Sequence, residues 1–328
     1  MSTPAERAAV AWAAERERSH IWALHLIRWI ALAAGRRATR LLLHPITLYF
    51  LLANGKARRA SRDYLGLALK RPARLADIYR HIHRFASTVL DRIYLLQERF
   101  DQFDMTITDG AVIHGPLKGG EGVMAVGAHL GSFEALRADA QSLGERVAML
   151  MYEDNARLIN ATLAAVAPKA RLHTIPLGQP GAMLSLRHWL DQGGIAGLLA
   201  DRTLPGQSGR SRTLWLDFLG RPAPFSDGPF RLAAMLRRRA VFVAGLYHGG
   251  NRYELRFIEL ADFRGPAGES RGDTDQRVRA ALERYVSLLE ALCLESPYNW
   301  FNFYDFWASD AKTPAAEIPA VDGPDAAP

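Results

Sequence analysis

The chain has 328 residues, 49% of them apolar and 23% charged, the balance of a globular protein with one large or two modest domains. Its single cysteine, Cys293, excludes an internal disulfide and a cysteine-based zinc cluster. The net charge of +7 is unevenly placed, because residues 1–75 hold 14 Lys/Arg against four Asp/Glu, and such a basic end suits nucleic acid or an anionic membrane.

The first predicted elements favour the membrane. Residues 21–34 and 41–53 are apolar runs separated by Gly35-Arg36-Arg37-Ala38-Thr39-Arg40. Each is shorter than the ~20 residues of a simple span, and His25, Arg28 and His44 interrupt them. They read as interfacial helices with Trp22, Trp29 and Tyr49 at headgroup depth, an N-terminal membrane-associating region over residues 1–60. The charges are interleaved with Leu, Ile and Trp, which argues against nucleic acid. Residues 56–100 follow as amphipathic helices with a break at Arg71-Pro72. His81 and His83, two apart on a helix, do not share a face and so do not suggest a metal site.

Beyond residue 105 short apolar runs alternate with helical stretches. Strands are expected at 122–128, 147–152, 171–175, 195–200, 241–247 and 252–258, and helices at 132–143, 155–167, 179–192, 228–238 and 275–295. Apolar strands alternating with helices predict an α/β fold with a mostly parallel central sheet flanked by helices, occupying residues 61–307. Residues 308–328, rich in Ala, Pro and Asp, read as a disordered tail. No phosphate-binding loop, dinucleotide fingerprint, nucleophile elbow or His-Glu-x-x-His stands in the chain.

His129-Leu-Gly-Ser-Phe-Glu134 carries the chemistry. An imidazole at the end of an apolar strand, with an acid five residues on, can take a proton from a hydroxyl. Within one helix five residues rotate by about 500°, so the two side chains would not face each other. The pair therefore requires His129 in the turn and Glu134 in the first turn of the helix, with Ser132 as N-cap. None of the other nine histidines has an acid at this offset.

The series of a strand with His-x-x-x-x-Glu, a later strand ending in Asp201-Arg202, Phe218-Leu-Gly-Arg-Pro-Ala223 and Ser296-Pro-Tyr-Asn-Trp-Phe301 resembles the bacterial lipid A biosynthesis acyltransferases. These form the lauroyl/myristoyl transferase branch of the lysophospholipid and glycerol-phosphate acyltransferase superfamily. The basic segment Lys56–Leu65 is similar to that family's stretch after its membrane anchor, and the likeness spans roughly residues 20–307.

The resemblance implies a membrane-bound O-acyltransferase at the cytoplasmic face of the bacterial inner membrane. His129 would be the general base and Glu134 its orienting acid, with Asp201, Arg202, Gly131 and Ser132 on the substrate side and helix-start N–H groups holding the oxyanion. It implies an acyl carrier protein or coenzyme A thioester as donor, a lipid hydroxyl as acceptor, and neither cofactor nor metal. The chain departs from the family at Arg202, where Gln is usual, and in a closing motif that continues Asn302-Phe-Tyr-Asp-Phe-Trp307 where basic residues are usual. The aromatic version resembles a related branch associated with aryl-polyene or xanthomonadin-type pigments. An acyl hydrolase using the same site, or an idle membrane-associated partner of a biosynthetic complex, are the alternatives.

Overall fold

The computed structural model describes residues 4–152, 173–202, 212–265 and 270–307, with side chains from residue 29 onward. The expected helix at 155–167 and the tail at 308–328 lie outside the described residues.

The N-terminal helix α1 (Pro4–Ala53) is broken at one residue, Gly35, with φ 76° and ψ 165°. A positive φ interrupts the helical ladder, and glycine adopts it without a Cβ penalty. The expected linker over Gly35–Arg40 is thus a single-residue break, and the basic stretch after it is helical. Two of the three arginines there turn inward, and Arg37 is exposed. Arg36 makes a bidentate pair with the buried Asp91, at 2.8 Å to each oxygen, while Arg40 donates to the Tyr247 hydroxyl at 2.7 Å. Tyr253 adds a third donor to Asp91 at 2.8 Å. Burial pushes the Asp91 carboxyl above its usual range even with Arg36 opposing it.

Helices α2 (Gly55–Ala68) and α3 (Leu75–Leu95) flank the expected break at Arg71-Pro72. Asn54 caps α2 by accepting from the Ala57 N–H, and Asp77 accepts from the Arg74 N–H at the start of α3. Ala31 and Leu43 of α1 join one core of the sheet and Leu51 joins the other, so these helices pack as part of the α/β body. The remaining face of α1 is apolar and exposed at Leu41, Leu42, Leu48, Tyr49, Phe50 and Leu52. Among the described residues no helix is long and apolar enough to cross a membrane.

The sheet contains β1 (Asp104–Thr108), β2 (Val123–Gly127), β3 (Val147–Tyr152), β4 (His173–Leu177), β5 (Ile195–Leu199), β8 (Arg239–Gly249) and β9 (Arg252–Asp262), in the order β1-β9-β8-β2-β5-β3-β4. The run from β8 to β4 is parallel, as the apolar strands predict; β9 is antiparallel to β8, and β1 is parallel to β9. Between strands lie α4 (Ala111–Lys118), α5 (Phe133–Ser142), α6 (Ala182–Asp191) and α7 (Gly228–Met235), with α8 (Arg271–Glu295) closing the chain's helical series. Period-two alternation assigns Met124 and Val126 of β2 to one core and Val123 and Ala125 to the other. Both faces are covered, so the strand shows no polar alternation in sequence.

β1 and α4 were not among the expected elements. β1 lies at the sheet edge with four of five residues exposed, and α4 contains Gly115 and Pro116, which read as breakers. The segment around Phe218 forms a hairpin of β6 (Thr213–Phe218) and β7 (Arg221–Ser226). Its two-residue turn, Leu219-Gly220, has positive φ at both positions, which matches the right-handed twist of paired strands.

Candidate active site

The carboxyl ends of β2 and β5 place the two central groups. In the register of these parallel neighbours Gly127 lies beside Leu199, and His129 and Asp201 are each two residues further on. The His129 Nδ1 is 2.8 Å from Asp201 Oδ1, and the His129 backbone N–H donates to Oδ2 at 3.0 Å. Trp300 Nε1 also donates to Oδ2 at 2.8 Å. A carboxylate can only accept, so Nδ1 carries the proton and Nε2 has the free lone pair. The His129 side chain is 31% exposed and that of Asp201 only 2%. Nε2 has no partner among the described residues and is reached by solvent. Burial pushes the Asp201 carboxyl up, but the facing imidazole and the hydrogen bonds from His129 and Trp300 outweigh it and hold the group below its usual range.

Glu134 stands in the first turn of α5, as expected, yet forms no hydrogen bond or ion pair with His129. Its carboxylate lies 2.5 Å from Arg92 Nη2 on α3. The acid that meets the imidazole in the structure is thus Asp201, where the spacing led to Glu134. The cause is directional. His129 leaves the strand toward the end of its neighbour, whereas the first turn of α5 carries Glu134 round to the face packed on α3.

The amides of Gly131 and Ser132 are engaged by the protein itself. Ser132 caps α5, its Oγ accepting from the Ala135 N–H at 3.3 Å, as the spacing predicts. The Gly131 N–H, however, donates to the Asn299 carbonyl and the Ser132 N–H to the Gly245 carbonyl, both at 2.8 Å. Neither amide is left for an oxyanion. Gly131 has φ +71°, and a Cβ there would meet the Gly245 carbonyl oxygen at 1.9 Å, so the close approach requires glycine.

Arg202 is exposed and stacks on Tyr304, 5.0 Å from the ring centroid. Its guanidinium makes no hydrogen bond to the described residues and remains open to an anion. Asp201, expected on the substrate side, is buried against His129 instead.

The closing motif makes contacts to His129 and Asp201 that the spacing of His129 and Glu134 does not show. Phe301 N–H donates to the His129 carbonyl at 2.7 Å, which with Trp300 clamps the imidazole loop from behind. The buried Asn299 accepts from Tyr247 N–H at 2.8 Å and donates to its carbonyl at 3.2 Å. Trp300 packs edge-on against Phe218 and Phe306, joining the hairpin motif to the closing motif. An Asn-Trp pair inside an aromatic run is the sequence signal for this role. Among the described residues no group of three or more His, Cys, Asp or Glu side chains could hold a metal ion. A surface cavity lined by Pro116, Glu121, Arg239, Glu259 and Arg264 lies at the opposite rim, where β2 and β8 begin.

This arrangement can accept a proton at an exposed imidazole nitrogen and hold the resulting imidazolium against a buried carboxylate. Comparison of the chain with models of known protein families and with curated proteins found no match.

Proposed function

We propose that the protein is an O-acyltransferase working at a membrane surface, the cytoplasmic face of a bacterial inner membrane. It moves an acyl chain from an acyl carrier protein or coenzyme A thioester to the hydroxyl of a lipid or glycolipid. The observation that carries this reading is His129, anchored through Nδ1 by a buried carboxylate and open at Nε2 on the carboxyl rim of the sheet. Nε2 takes the proton from the acceptor hydroxyl as its oxygen attacks the thioester carbonyl. The imidazolium, stabilised by Asp201, then returns that proton to the departing thiolate. Charge developing on the carbonyl oxygen needs a donor other than Gly131 and Ser132, and Arg202, next to Asp201 and without a hydrogen bond to the described residues, is the candidate.

Two further observations support the reading. The ordered motifs resemble those of the lipid A acyltransferases, and the exposed apolar side of α1 suits an interfacial anchor. Glu134 enters as a positioning residue that ties α5 to α3 through Arg92.

The test offers labelled acyl thioesters with membrane extract to the wild type and to His129→Ala, and identifies the labelled lipid by mass. Wild type is expected to label a lipid ester and the variant to label none. Free fatty acid as sole product would point to hydrolysis, and equal labelling by both proteins would sink the proposal.

A further inference from the structure

Three arginines on the helices that border the site share two tyrosine rings. The Arg40 and Arg84 guanidinium carbons each lie 5.9 Å from the Tyr247 ring centroid, on α1 and α3 respectively. Arg84 and Arg80 lie 5.8 Å and 5.1 Å from the Tyr298 ring. The result is a ladder, Arg40-Tyr247-Arg84-Tyr298-Arg80. Its polar partners are neutral: Arg40 donates to the Gly250 carbonyl and the Tyr247 hydroxyl, and Arg84 to the Tyr247 carbonyl at 2.5 Å. None of the three forms an ion pair with a carboxylate of the described residues.

The nearby acids are already matched. Asp77 holds Arg71 in a bidentate pair and also accepts from the Tyr298 hydroxyl at 2.8 Å, and Asp91 holds Arg36 in another pair. His44 and His83 stack beside Arg40 with ring centroids 4.7 Å apart, which adds no negative charge. Burial and the neighbouring Arg80 charge push the Arg84 guanidinium below its usual range, and the two tyrosines offset this only in part. Planar guanidiniums spaced by aromatic rings and without a carboxylate partner of their own suit a phosphate.

The surroundings say which kind. Leu41 and Leu42 follow Arg40 and are exposed, and Phe85, 40% exposed, follows Arg84. The cationic ladder thus borders apolar surface on both helices. Tyr247 and Tyr298 are joined to the His129 loop through Asn299, so the ladder sits on the same rim of the sheet.

We propose that Arg40, Arg80 and Arg84, spaced by Tyr247 and Tyr298, bind the phosphate headgroup of an anionic lipid whose chains lie along the exposed apolar side of α1. The proposal stands apart from the chemistry of His129, and its test does not use activity. The full-length protein is sedimented with vesicles of phosphatidylcholine containing about one-fifth phosphatidate, or phosphatidylserine at matched surface charge. Wild type is expected to prefer phosphatidate about tenfold. Arg80→Gln/Arg84→Gln removes the preference, whereas Arg37→Gln/Arg59→Gln, which removes two exposed arginines elsewhere, weakens binding to both vesicles but keeps it. Arg80→Gln alone, at an exposed position, lowers the preference by severalfold and serves should the double variant fail to fold by thermal melting. An unchanged phosphatidate preference in Arg80→Gln and in a folded double variant would overturn the site. Displacement of wild type from phosphatidate vesicles by millimolar inorganic phosphate, with charge screening matched by chloride, would overturn the lipid assignment in favour of a soluble phosphate.

Discussion

His129 and His114 are both imidazoles paired with carboxylates, and the difference between them separates the proposed reactive centre from a structural pair. His114, on α4, has Nδ1 2.8 Å from Glu145 Oε1 and Nε2 3.2 Å from Asp139 Oδ2, and it is buried. Both its nitrogens face carboxylates of the protein, and Nε2, buried and short of hydrogen-bond geometry with Asp139, does not reach solvent. His129 engages one acid through Nδ1 and leaves Nε2 to solvent. His81 completes the contrast, with Ser61 on one nitrogen and the Trp300 carbonyl on the other. A carbonyl only accepts, so Nε2 of His81 carries its proton and the Ser61 hydroxyl donates to Nδ1. Pairing with an acid is common to His114 and His129; an open second nitrogen is what makes proton transfer to a substrate possible.

The largest expected effect separates the first two directly. Under the proposed activity His129→Ala lowers kcat by about a thousandfold or more, within the range of a lost general base. His114→Gln leaves kcat within about twofold but lowers the melting temperature, since it strands two partly or fully buried carboxylates. Steady-state rates and thermal melts of the two variants check this, and a folded His114→Gln protein as inactive as His129→Ala would erase the distinction.

Next in size is the choice of acid. Asp201→Asn is expected to cost about a hundredfold in kcat or more, because an amide no longer fixes the tautomer or stabilises the imidazolium. Glu134→Gln should cost about fivefold, through a looser joint between α5 and α3. The reverse order would return the orienting role to Glu134. Trp300→Phe keeps the aromatic packing but removes the N–H to Asp201 Oδ2, and a loss of about tenfold in kcat is expected.

The smallest effect concerns stability and pH. Burial pushes the His81 imidazole down to about 4, so the folded state holds it neutral where the unfolded chain protonates it near pH 6.5. The unfolded chain therefore binds more protons between about pH 6.5 and pH 4, and His81 makes stability fall as pH drops through that window. Its contribution is on the order of 3 kcal/mol across the window. Denaturant unfolding of wild type and His81→Gln at pH 7 and pH 4.5 checks it; the variant should lose less stability between the two pH values. An equal loss in both proteins would show that His81 is not the group responsible.

How much of this was legible without coordinates depends on the range of the interaction. The apolar strands at 122–128, 147–152 and 195–200 and the Ser132 cap are local patterns, and they hold to within a residue. β4, expected at 171–175, runs His173–Leu177, a shift of two residues. The hairpin at Leu219-Gly220 is not legible as strand pairing because proline at 222 and 224 disguises β7, which among the described residues pairs with β6 alone.

By itself the sequence determined the α/β alternation and the basic and apolar N-terminus, and it singled out His129 as the candidate, since each is written in periodicity or in one residue's chemistry. Tertiary structure alone decided which carboxylate touches that imidazole. β2 and β5 are neighbours in the sheet though about 70 residues apart in the chain, and their common register brings His129 to Asp201. It also decided that the Gly131 and Ser132 amides are spent on Asn299 and Gly245, and that Arg36 faces Asp91. Spacing along a chain fixes which groups one helix or strand can present, whereas strand order and helix packing choose their partners.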